Sequence, residues 1–115
     1  MKLFFPIIFK IFLILTILVG YATAGVIKET DSDALLNQGI TLLEKGHYDL
    51  SINYFNKAIE INPRFAEAYN NRAFVYFYKG DYEKAWGDVY KIQSLGYKVH
   101  PVFFNALRQA SGREK

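Results

Sequence analysis

The chain repeats itself at a distance of 34 residues, and this period restricts its fold more than any other feature. Ala34, Asn37, Lys45, Gly46, Tyr48 and Lys57 recur as Ala68, Asn71, Lys79, Gly80, Tyr82 and Lys91. Asp33 and Asp49 return as the acids Glu67 and Glu83, so the charge persists where the residue changes. Within each unit the apolar residues twice follow the 3.6-residue period of an amphipathic helix, which makes each unit a helix pair. Such a unit buries its apolar face only by stacking on a neighbour.

In chain order, Thr30 or Ser32 is placed to cap the first helix, with Asp33 adding charge to its first turn. The helix runs to about Glu44, with Leu35, Gly39 and Leu42 in one apolar row and Leu36, Ile40 and Leu43 in another. Gly39 costs about 1 kcal/mol against Ala inside a helix, which implies a close helix–helix approach there. Gly46 suits the left-handed position that ends the helix. A second helix, about 48–61, puts Tyr48, Ser51, Ile52, Phe55, Ala58 and Ile59 on one face. Asn62-Pro63 then breaks the chain, Asn by tolerating the left-handed conformation and Pro by its inability to continue a helix. The third helix, about 66–79, aligns Tyr69, Ala73 and Tyr76, with Phe74, Phe77 and Tyr78 alongside. Gly80 ends it and Asp81 caps a fourth, which turns Tyr82, Ala85, Val89 and Ile92 inward with Trp86 next to them. His100-Pro101 opens a fifth helix carrying Val102, Phe103, Phe104 and Leu107.

The first 24 residues read differently. Lys2 and Lys10 form a positive region, Ile11 to Val19 a short apolar run, and Ala22-Thr23-Ala24 a small-x-small cleavage pattern. Export across the cytoplasmic membrane, to a periplasmic or secreted location, is the expectation; an uncleaved membrane anchor is the alternative. Residues 25–31 then serve as a linker. With no cysteine there is no lipid-attachment residue at the junction and no disulfide. Residues 1–24 hold two Lys and no acid, so the remainder carries 12 Lys and Arg against 11 Asp and Glu. No basic stripe remains of the kind that nucleic-acid binding requires.

The two units in register resemble the tetratricopeptide repeat. Counted from Ser32, the family's bulky, small, aromatic and proline positions are met by Leu35, Gly39, Tyr48, Ser51, Phe55, Ala58 and Pro63. Counted from Ala66, Tyr69, Ala73, Tyr82 and Ala85 meet it again, while Val89, Ile92 and Tyr97 depart from it. The resemblance implies an all-α, right-handed solenoid of antiparallel helix pairs: one repeat over 32–65, a second over 66–99, a capping helix over 100–110, and a frayed tail over 111–115. It also implies a concave groove, lined by the first helix of each pair, that binds a protein or peptide.

On that pattern the groove-facing residues expected to contact a partner are Asn37, Ile40, Asn70, Asn71, Phe74, Phe77, Tyr78, Phe104, Asn105 and Arg108. Asn37, Asn71 and Asn105 stand 34 residues apart, and an amide offers both a donor and an acceptor to an extended backbone. The alternative role for these amides is bridging neighbouring helices. The Lys and Asn with which chaperone-binding members clamp a terminal carboxylate are replaced by Leu36 and Ile40. Leu36, Ile40, Leu43, Phe74, Phe77 and Phe104 instead make an apolar set that fits a partner interface, the seam of a homo-oligomer, or core.

Catalysis is not expected. His47 and His100 lack a ligand at helix-turn spacing, so no metal is expected. Asp81 and Glu83 read as a cap and a first-turn charge. Lys45-Gly46 and Lys79-Gly80 lack the spacing of a phosphate loop, and no cofactor is called for. The sequence describes a non-catalytic interaction module, with a self-associating assembly factor as the alternative.

Overall fold

The computed structural model describes residues 31–113 and, nearer the N-terminus, residues 8, 10, 11, 14 and 15. The expected cleavage pattern, most of the targeting segment and of the linker, Thr30 and residues 114–115 lie outside the described residues. Residues 31–113 fold into five α-helices and no strand: α1 (31–44), α2 (Tyr48–Ile61), α3 (Ala66–Tyr78), α4 (Tyr82–Ser94) and α5 (Pro101–Ser111). Asp31, expected as linker, is already helical, and Ser32 is a fully buried helical residue rather than an exposed cap. Among the described residues no helix is long and apolar enough to cross a membrane.

Short connections make successive helices antiparallel neighbours. The turn after α1 and the turn after α3 close identically. Gly46 and Gly80 take φ of 77° and 78°. His47 N–H bonds to Leu42 O at 2.9 Å and Asp81 N–H to Tyr76 O at 2.8 Å, the six-to-one closure that satisfies the last carbonyls of each helix. Asn62 differs from expectation. It ends α2 at φ −127°, not in the left-handed region, and its Oδ1 accepts from Arg64 N–H at 3.2 Å. An Asx turn therefore does the work assigned to a left-handed residue.

The core forms two clusters. Leu36, Ile52, Phe55, Ala58, Ala68 and Val75 make the first; Ala73, Ala85, Trp86, Val89, Phe103 and Leu107 make the second. Helix α3 belongs to both, with Ala68 and Val75 on one side and Ala73 on the other, all fully buried. Gly39 has the close neighbour its sequence position implied: a Cβ there would stand 2.5 Å from Phe55 Cε1.

A buried ion pair locks the back of α3. Arg72 Nη2 and Nε donate to the two Asp88 carboxylate oxygens at 2.6 and 2.9 Å, and Nη1 donates to Asn56 Oδ1 at 2.6 Å. Three helices are thereby joined at one guanidinium. Burial pushes the Asp88 carboxyl above its ordinary value, and the Arg72 hydrogen bond and charge pull it partly back. Burial also opposes the Arg72 charge, yet Asp88, Tyr76 and Tyr69 outweigh it and raise its pKa. The short bidentate geometry is that of a charge-assisted pair, which offsets part of the cost of burying the carboxylate.

Candidate partner-binding groove

Two aromatic residues on the last turns of α3, Phe74 and Phe77, meet Phe103 in the first turn of α5, and Tyr78 beside them faces α2. Phe74 and Phe103 have ring centroids 4.1 Å apart, and Phe77 meets Phe103 edge-on at 5.7 Å. Phe77 also touches Tyr82 at 5.9 Å, and Tyr78 stacks on Tyr48 at 6.1 Å with the planes 10° apart. The rings surround a shallow cavity of about 320 Å³ lined by Phe74, Phe77, Tyr78, His100, Val102, Phe103 and Ala106. Phe103 is buried, whereas Tyr78 and Val102 are 59% and 71% exposed, so the cavity has an apolar floor and an open apolar rim.

Local sequence explains the placement. Phe74, Phe77 and Tyr78 share one helical face at spacings of three and four. Pro101 fixes the first turn of α5, and His100 caps it by accepting the Val102 N–H at Nδ1, 3.3 Å away. No carboxylate, lysine, arginine, serine or cysteine is among the lining residues. The arrangement can bury an apolar side chain by removing its surface from water. Among the described residues no group of three or more His, Cys, Asp or Glu is placed to bind a metal ion.

The other expected contact residues are scattered. Asn37 is exposed and lines a separate depression with Gln38, Thr41 and Tyr54. Ile40 is half-buried against the first cluster, and Leu36, at 5% exposure, is core rather than groove. Asn70 is half-buried, and Asn71 donates Nδ2 to Glu67 O at 2.9 Å within its own helix. Phe104 turns away from the aromatic cavity to meet Trp86 edge-on at 5.3 Å. With Asn105 it lines another recess, beside Tyr97 and Val99. Arg108 sits over Gln109, Gly112 and Arg113. Asn37 and Asn105 line different cavities. In α5 the residues that complete the aromatic cavity are Val102, Phe103 and Ala106, because the buried stripe Phe103–Leu107 turns this face toward α3. The four-residue spacing of Phe103 and Leu107 is the sequence signal that carries this orientation.

Residues 39–80 match the family model described as TPR repeat. The chain is 30% identical over 76 residues to photosystem I assembly protein Ycf3 of Rippkaea orientalis, covering 66% of this chain and 44% of that protein. It is 39% identical over 61 residues to tetratricopeptide repeat protein 36 of Caenorhabditis elegans, covering 53% and 34%. An uncharacterized protein of Methanocaldococcus jannaschii is 40% identical over 48 residues, covering 42% and 56%. The chain thus spans between about a third and just over half the length of these relatives.

Proposed function

We propose that the chain, which carries the tetratricopeptide repeat over residues 39–80, is a protein–protein interaction module that captures one partner by an apolar side chain seated between α3 and α5. The observation that carries this reading is the convergence of Phe74, Phe77 and Tyr78 with Val102 and Phe103 around an open cavity whose lining holds no carboxylate, lysine or arginine. Exposed aromatic and aliphatic surface of this kind gains free energy when a complementary apolar group covers it. The ligand is a peptide or helix of the partner, held by one buried anchor with the polar residues of the α1 and α3 faces around it. An assembly role is supported by the similarity to Ycf3, a photosystem I assembly protein. The pattern of residues 1–24 supports export, and with it a partner in the cell envelope or outside the cell.

Site-specific photo-cross-linking in the native cells tests this. A photoreactive phenylalanine at Tyr78 is expected to capture one protein in stoichiometric yield. The same group at Tyr90, exposed on α4 beside Trp86, is expected to capture none. Equal capture at both positions contradicts the groove reading, and capture of a second copy of the chain at Tyr78 replaces it with self-association. The mass of the cross-linked chain reports export directly, since cleavage after Ala24 leaves a product starting at Gly25.

A further inference from the structure

The geometry points to a second docking site, on the opposite side of α3, for a helix of another protein that carries two acidic residues seven positions apart. Tyr69, Arg72 and Tyr76 lie about half a helical turn away from Phe74 and Phe77, so they face away from the aromatic cavity. They form the floor of a cleft of about 680 Å³ between α2 and α4. Its α4 wall carries Lys84, Gly87 and Lys91, which share one face at spacings of three and four.

Gly87 is the first observation. A glycine in a helix interior weakens that helix, and the chain itself gives no reason for this one. Beyond its chain neighbours and its own helix backbone, no atom stands within 4 Å of where its Cβ would be, in contrast to Gly39, which Phe55 overlies. The missing side chain leaves room for a backbone from outside the chain to approach closely.

Charge is the second observation. The Lys84 ammonium lies 5.6 Å from the Tyr76 ring centre and the Lys91 ammonium 5.9 Å from that of Tyr69. The two lysines are therefore held over the cleft floor, about 10 Å apart along the helix axis with Gly87 between them. Asp88 contributes little negative field because Arg72 neutralises it; Asp81 pairs with Lys84 at the exposed rim at 3.3 Å, and Glu60 stands on the α2 wall. Lys84 and Lys91 are thus the cations the α4 side offers, and a ligand carboxylate at Lys84 takes the place of Asp81 at the rim. A helix laid along this side, with carboxylates at i and i+7 and a small residue between them, matches both lysines and the gap at Gly87. This chain does not offer such a helix among its described residues. Asp81 and Asp88 have the spacing, but Asp88 is 4% exposed and already paired. The occupant is accordingly a different protein.

Selection from a displayed library of alanine-rich helices of about 20 residues, long enough to hold helical structure, tests the site on the full chain. The exposed positions are randomised among Glu, Gln, Lys and Ala. Binders are expected to converge on Glu at i and i+7. Their affinity should fall about tenfold in Lys84→Gln/Lys91→Gln, fall at least as far in Gly87→Leu, and stay unchanged in Tyr78→Ala. Circular dichroism of Gly87→Leu should remain helical; if it does not, Gly87→Ala serves instead, with weaker binding alongside a raised melting temperature. No enrichment, binders without the acidic pair, or binders indifferent to the Gly87 substitution overturn the proposal. The Tyr78 variant keeps its outcome separate from that of the aromatic cavity.

Discussion

The residue with most structural consequence is one that periodicity treats as ordinary. Arg72 bonds to Asp88 in two places and to Asn56 in a third, and its guanidinium lies 5.4 Å from the Tyr69 ring centre. Both partners lie 16 positions away in sequence. Removing the arginine strands a carboxylate that is 4% exposed. Breaking a buried pair from one side costs about 3–5 kcal/mol. Arg72→Ala is therefore expected to lower stability by about 3 kcal/mol in urea unfolding. Arg72→Lys should recover little of the loss, because an ammonium does not reproduce the two-pronged contact. The double variant Arg72→Ala/Asp88→Ala should cost less than the two single changes added together. Strict additivity would mean the two side chains are not coupled.

Among the elements, α5 is the one that completes the aromatic cavity, so its docking and the site stand or fall together. Phe103 and Leu107 bury it, Trp86 Nε1 donates to Ser111 Oγ at 2.9 Å, and Arg113 binds both Glu83 oxygens at 2.7 and 2.8 Å. Residues 111–113, expected to fray, are thereby tied back to α4. Leu107 is fully buried and lies outside the cavity lining. Leu107→Ala should cost about 2–5 kcal/mol, by lost burial plus the void left behind. It should also loosen α5 and expose Phe74 and Phe77, increasing the fluorescence of a hydrophobic dye before the rest of the chain unfolds. A variant with unchanged dye binding and unchanged stability would show that α5 is held by its C-terminal contacts alone.

At the scale of the whole molecule, stability centres on α3, the helix that both core clusters share. Buried apolar contact and protected backbone go together in native-state hydrogen exchange. The slowest amides are expected in α3 and α4, with α1 and α5, at the two ends of the stack, exchanging first. Equal protection across all five helices would contradict a stack of this kind, in which each unit contacts only its neighbours. What the sequence determined by itself is what local chemistry decides: the five helices, the left-handed glycines that end α1 and α3, the Asp81 cap, and the close approach at Gly39. The convergence of Phe74, Phe77 and Tyr78 on one face was legible for the same reason, since it depends only on helical spacing. Tertiary structure alone decided that α3 is buried on two sides, that Leu36 is core, and that Phe103 rather than Phe104 faces the cavity. It also decided that Arg72 finds Asp88 and Asn56. Each of these depends on how one helix sits against another, and a period of 3.6 residues orders the faces of a helix without saying what will cover them.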